Sequence, residues 1–134
     1  MAEEIRFTKE HEWIIMKKES DEQDGELAII GISDFAQKEL GDIVSIELPK
    51  VGSKFKQMQA MAIIDSVKAF SDVYSALSGE VVEVNEGLLQ HPEWINQSPY
   101  ELGWIVKLRP SSSGLEELSN SMTKEEYEKF VGEI

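Results

Sequence analysis

One lysine offers the clearest chemistry in this sequence. Lys68 sits inside Ala62-Ile63-Ile64-Asp65-Ser66-Val67-Lys68-Ala69-Phe70-Ser71-Asp72-Val73-Tyr74. An apolar run leads into an acid, a serine and a valine. The lysine follows, then a short polar step and a second β-type run. This pattern predicts two strands joined by a tight turn. A lysine at such a tip presents one isolated amine to solvent, which is what a modifying enzyme needs to acylate that residue alone. The plainer role of a turn lysine is a solubilising charge, and Ser-Val-Lys by itself favours that role.

Other reactive residues are scarce. There are no cysteines, which removes disulfides, thiolate nucleophiles and Cys-ligated zinc; any redox sulfur must come from a bound group. His11 and His91 are far apart and lack a metal spacing. No serine or cysteine nucleophile is evidently paired with His11, so a packed or hydrogen-bonded structural role is expected for it. Trp13, Trp94 and Trp104 are expected to pack rather than to form a ligand platform. Glu125, Glu126 and Glu128 read as a solvated helix face. No nucleophile–base pair or cofactor loop is visible, which leaves an autonomous enzyme as the poorest fit.

With 134 residues, 41% hydrophobic and 29% charged, the chain fits one domain of a soluble globular protein, residues 1–134. A net charge of −13 argues against nucleic acid and against anionic membranes. It suits a carrier steered toward basic patches on larger partners, and equally suits plain solubility. The N-terminus has neither an apolar signal core nor an Arg/Ser-rich transit character, and no apolar stretch approaches a membrane span. A cytoplasmic chain, or a mature mitochondrial form, is expected.

The elements that must position Lys68 are short β-type runs separated by turn signals. Trp13–Met16 and Leu27–Ile32 read as the first two strands, joined by a charged hairpin loop from Lys17 to Gly25. A short helix follows, with Asp34 and Gln37 spaced as a capping box and Gly41 placed to stop it. Ile43–Leu48, a longer run from Phe55 to Ile64, Val73–Leu77, Glu80–Val84 and Trp104–Leu108 read as further strands. His91–Trp94 reads as a helical turn with Pro92 first. Pro110–Gly114 breaks the sheet. The tail 115–132 reads as helical, with Leu115 and Leu118 on one apolar face, then a Thr123/Glu126 capping box opening a segment that groups Tyr127, Phe130 and Val131. The fold class is mainly β with helices: a compact sandwich or flattened barrel with a C-terminal helical segment.

Four separated segments resemble the H-protein family of the glycine cleavage system. They are Phe7-Thr8-Lys9-Glu10-His11-Glu12-Trp13; Gly31 to Val44 with Glu47-Leu48-Pro49; Ser66-Val67-Lys68-Ala69 with Ser71-Asp72-Val73-Tyr74 and Ser78 to Asn85; and Ser98-Pro99-Tyr100 with Gly103-Trp104. None is specific alone. Their order and spacing, from about Phe7 to Val131, carry the resemblance.

The resemblance implies a lipoyl-domain-like barrel-sandwich hybrid with lipoic acid joined covalently to Lys68 on a hairpin tip. It implies a monomeric carrier, not an enzyme, that serves three partners: a pyridoxal-phosphate glycine decarboxylase, a tetrahydrofolate-dependent aminomethyltransferase and a flavin dihydrolipoyl dehydrogenase. A lipoyl-attaching enzyme would recognise Asp65, Ser66, Val67 and Ala69 around Lys68. The loaded arm would fold into a surface cleft where Glu12 and Asp72, with Glu10 as a third candidate, hold the aminomethyl ammonium. The alternatives for these acids are a surface acid beside a core tryptophan for Glu12 and a turn-capping side chain for Asp72.

Three positions depart from the family pattern. Asp65 stands where glutamate is usual, Phe70 where small residues are common, and Ala76 where proline is frequent. Asp65 and Phe70 keep one rival in view, an H-like lipoyl carrier of another pathway, such as sulfur oxidation or lipoyl relay. An unmodified interaction module is the other alternative, against which the intact Ser66-Val67-Lys68 tip and both pocket acids speak. A biotin carrier fits less well, because Val67 and Ala69 flank the lysine in place of methionines.

Overall fold

The computed structural model describes residues 4–18 and 26–133. It contains ten strands: β1 (Ile5–Phe7), β2 (Glu12–Lys17), β3 (Leu27–Ile32), β4 (Ile43–Glu47), β5 (Lys54–Phe55), β6 (Ala60–Ser66), β7 (Phe70–Tyr74), β8 (Gly79–Val84), β9 (Val106–Pro110) and β10 (Met122–Thr123). Five helices accompany them among the described residues: α1 (Asp34–Leu40), α2 (Gly87–Gln90), α3 (Trp94–Gln97), α4 (Ser112–Ser119) and α5 (Lys124–Gly132). Seven strands form one antiparallel sheet in the order β10-β1-β2-β3-β9-β8-β5, and β4-β6-β7 form a second. The architecture is the expected barrel-sandwich hybrid with a C-terminal helix.

The sheets enclose a core that includes Ile14, Ile30, Ile46, Ile64, Val73, Val81 and Leu108. A second apolar cluster lies apart from it, where Phe7, Trp13 and Tyr127 pack with Ile5, Ile15, Ile29, Phe130 and Val131. This explains why Trp13-Ile14-Ile15 does not alternate. Ile14 faces the main core, while Trp13 and Ile15 face the cluster completed by α5, so both faces of β2 are covered. Gly31, opposite Trp13 on β3, leaves room for the indole; a Cβ there would lie 2.7 Å from the Trp13 Nε1.

Several local readings are corrected. Ser33, not Asp34, caps α1 by accepting from the Ala36 amide, and Asp34 instead accepts from the Gln37 side chain within the first turn. The run from Phe55 to Ile64 is two strands, broken where Met58 takes a left-handed conformation (φ 67°). Val73–Leu77 extends past its strand: β7 ends at Tyr74, and Ala76 and Leu77 are buried beyond it. Pro92 stands in a turn before α3, and α2 precedes that turn unforeseen. The sheet break is itself a helix start, with Ser111 capping α4. Leu115 is 54% exposed, so Leu118 alone of the predicted pair packs against the core. The short strands β1 and β10, which pair with each other at one end of the larger sheet, carried too few residues for a period to show. The Gly41 stop and the Thr123/Glu126 capping box are present as read. Residues 19–25 of the predicted hairpin loop lie outside the described residues.

Candidate functional site

β6 and β7 pair in antiparallel register, Asp65 opposite Phe70, Ile64 opposite Ser71 and Ile63 opposite Asp72. The link between them is Ser66-Val67-Lys68-Ala69. The Ser66 amide donates to the Ala69 carbonyl (2.9 Å), and the Ser66 hydroxyl donates to the same carbonyl (3.1 Å). That hydroxyl oxygen also accepts from the amides of Lys68 (3.2 Å) and Ala69 (3.1 Å). Ser66 is only 7% exposed. It faces into the turn and fixes the turn's shape, whereas Val67, Lys68 and Ala69 are exposed. Asp65, half-buried, stands across from Ser45 on β4 as well as Phe70.

The tip rests on the corner where α1 meets β4. The Val67 amide donates to the Asp42 carbonyl (3.0 Å). Asn96 of α3 secures this corner, donating to the Gly41 carbonyl (2.9 Å) and the Gln37 side chain (2.9 Å) and accepting from the Ile43 amide (2.9 Å). Gly41 is left-handed (φ 75°), and a Cβ there would come within 3.4 Å of the Lys68 Cε. The lysine stem therefore runs over a surface kept flat by glycine.

A cleft of about 290 Å³ lies between the β1–β2 turn, α1 and the β6–β7 hairpin. Its apolar wall is Ile32, Phe35, Ala36, Leu40, Ile64 and Val73. Its polar lining is Glu10, His11, Glu12, Glu39, Ser71 and Asp72. Among the described residues, four carboxylates line it and no lysine or arginine does. Glu10, Glu12 and Asp72, predicted as one set, are thus brought together. Among the described residues no group of acids and histidines is arranged to hold a metal ion.

Glu12 is not a surface acid, being 1% exposed. Thr8 Oγ1 donates to its Oε1 (2.7 Å) and the Tyr74 amide donates to its Oε2 (3.2 Å), so the carboxylate bridges the two sheets. Burial pushes its pKa up to about 7, against the lowering effect of those hydrogen bonds. Among the described residues this carboxylate has no countercharge. Asp72 is exposed, and among the described residues its carboxylate accepts no hydrogen bond, so it is not a turn cap.

His11 takes a left-handed backbone conformation (φ 73°) between Glu10 and Glu12. Its Nδ1 lies 2.8 Å from the Tyr127 hydroxyl, and its ring packs on Phe35. Burial lowers its pKa, with Glu10 and Glu39 opposing, which favours the neutral imidazole expected of a structural histidine. Glu39 and Phe35 join the cleft without having been singled out in the sequence. Their only signal was position on α1, whose inward face cannot be oriented from seven residues.

The family model described as Glycine cleavage H-protein matches residues 5–134. The chain is 46% identical over 134 residues to the glycine cleavage system H protein of Halothermothrix orenii, covering all of this chain and 98% of that one. It is 43% identical over 133 residues to the protein of the same name from Bacillus subtilis, covering 99% and 98%. A crystal structure of a glycine cleavage system H protein from Mycobacterium marinum superposes with a TM-score of 0.83 at 30% identity, covering 98% of this chain and 99% of that one. With its lysine-tipped hairpin beside an acid-lined cleft, the chain belongs to the glycine cleavage H-protein family, the lipoyl-carrying family.

Proposed function

We propose that this chain carries lipoic acid as an amide on Lys68 and shuttles the aminomethyl group of glycine between enzymes, without being a catalyst itself. The observation that carries this reading is the pairing of an exposed amine on a fixed tip with a nearby cleft that, among the described residues, has carboxylates and no fixed cation. The residues fit the group. The flat Gly41 surface accommodates the lysine stem, and an apolar wall with an acidic lining suits an arm that is hydrocarbon along its length and cationic when loaded.

When bound, lipoic acid supplies the sulfur pair that holds the one-carbon amine and the reducing equivalents. Ser66 holds the tip so that the amine is presented in one conformation. Asp65, Val67 and Ala69 form the surface that a lipoyl-attaching enzyme meets. Glu12 supplies a buried carboxylate whose missing countercharge an ammonium would provide, and Asp72 and Glu10 add negative potential at the open side. The apolar wall limits water around the cargo. Tethering turns encounters with a pyridoxal-phosphate decarboxylase, a tetrahydrofolate-dependent aminomethyltransferase and a flavin dehydrogenase into visits by one arm. We take residues 1–134 as one carrier domain with the tail 115–132 packed on it. Its net charge of −13 and its bacterial relatives support a monomeric carrier working in the cytoplasm. Among the described residues no helix is long and apolar enough to cross a membrane.

Intact mass and peptide mapping after treatment with lipoate ligase test the reading. One lipoyl group, on Lys68, is expected. An unmodified Lys68, from the ligase and from the native host alike, would overturn it in favour of an interaction module.

A further inference from the structure

Tyr127 does not line the cleft, yet its hydroxyl lies 2.8 Å from His11 Nδ1 and 2.7 Å from Ser33 Oγ. These partners belong to neighbouring walls, at adjoining ends of the paired strands β2 and β3. His11 sits in the β1–β2 turn between Glu10 and Glu12, and Ser33 caps α1, which supplies Phe35 and Glu39. A second link joins the same walls, since the Ser33 amide donates to the His11 carbonyl (2.9 Å). With a neutral imidazole protonated at Nε2, one chain of donors satisfies every group: Ala36 N–H to Ser33 Oγ, Ser33 O–H to Tyr127, and Tyr127 O–H to His11 Nδ1. The left-handed backbone of His11 is a conformation that a non-glycine residue keeps only when its surroundings hold it there. The Tyr127 ring is itself clamped, stacked on Phe7 with centroids 4.2 Å apart.

We propose that Tyr127 is a positioning residue for the aminomethyl cargo: by tying the β1–β2 turn to the start of α1, it makes helix α5 hold the acids of the cleft in place. The inference rests on the carrier reading above. It gives the C-terminal helix a part in cargo retention as well as in packing. The ring supplies the packing and the hydroxyl supplies the alignment, so the two are separable by Tyr127→Phe, which keeps the stack on Phe7.

The test compares wild type, Tyr127→Phe and Thr123→Ala. The last removes the side-chain cap of α5, where Thr123 Oγ1 accepts from the Glu126 amide, and so weakens the helix without touching the hydroxyl. In the unmodified proteins, amide hydrogen exchange is read at His11 and Ser33. In the lipoylated proteins loaded with glycine by the decarboxylase, the hydrolytic release of the aminomethyl group is timed. Tyr127→Phe is expected to speed exchange at both amides and release of the group by roughly tenfold, the size of one buried hydrogen bond, with Thr123→Ala near wild type. Unchanged exchange or release in Tyr127→Phe, or an equal rise in both variants, would overturn the proposal and leave the carrier reading standing. A wild-type chain that accepts lipoate but never the aminomethyl group would overturn both.

Discussion

The tip bearing Lys68 is closed by bonds among four consecutive residues, whereas the cleft is assembled from the β1–β2 turn, α1 and the β6–β7 hairpin. At the tip, one serine hydroxyl organises two amides and a carbonyl, and the side chains that matter point into water. In the cleft, the acid that matters most is buried between two sheets and shifted to about 7. Presenting a group for modification needs little beyond this local order and one bond from the Val67 amide to the Asp42 carbonyl. Holding a carboxylate short of a countercharge needs remote elements to keep water away, and it costs stability until a cation arrives.

The largest expected effect follows from the tip. Lys68→Arg keeps the charge and the turn but removes the acylable amine. Glycine-dependent CO2 exchange with the partner enzymes supplied is expected to vanish while the unfolding curve stays put. Residual exchange in that variant would mean that the tip is not the point of attachment, and the contrast between the two regions would lose one side.

Glu12→Gln addresses the other side. A carboxyl whose pKa rises from its ordinary 4.5 to about 7 on folding binds protons more tightly in the native state across that window. Its contribution to stability is complete below about 4.5 and is lost as pH climbs through 7, by roughly 3 kcal/mol in all. Glutamine does not titrate and keeps an acceptor for the Tyr74 amide. Urea unfolding from pH 5 to 8 is expected to show wild type losing ground to Glu12→Gln by roughly 2 kcal/mol over that narrower span. The variant is also expected to shed the aminomethyl group faster. Parallel stability curves would show that Glu12 carries no such strain.

Ser66→Ala sharpens the comparison at smaller scale. Two turn amides lose their shared acceptor, at a cost of roughly 1–2 kcal/mol. Thermal unfolding should show this directly, and lipoate attachment should slow although Lys68 is untouched. Attachment at the wild-type rate would mean that the enzyme imposes the turn itself.

This contrast also explains what could be read from the chain. The tip was legible because its signals are contiguous: an apolar run, a serine, one lysine, a second run. The strand flanking Glu12 was legible too, but the burial of that acid was not, since nothing in Glu10-His11-Glu12 reveals that His11 turns left-handed and that β7 closes over the carboxylate. Tyr127 was read correctly as part of an apolar face, yet its hydroxyl partners lie 94 and 116 residues away. Caps drawn from neighbouring residues divided in the same way. Thr123/Glu126 held, while Ser33 displaced Asp34 because a residue one position earlier already met the α1 amides.

The smallest effect on the fold is expected at Phe70, the aromatic residue two positions after Lys68. It is 76% exposed and stands across the hairpin from Asp65, with Val67, 65% exposed, a few residues before it. A side chain this exposed contributes little to folding, so Phe70→Ala should alter stability by less than about 0.5 kcal/mol. Any effect should fall on encounter, because an apolar ring beside the acylated amine is what a lipoyl-attaching enzyme meets first. A change of a few-fold in attachment rate at constant stability would place Phe70 with the tip's recognition surface, alongside Asp65. A loss of stability with no change in attachment would mean that the ring packs on the hairpin in solution, and that the tip depends on more than the Ser66 turn and its bond to Asp42.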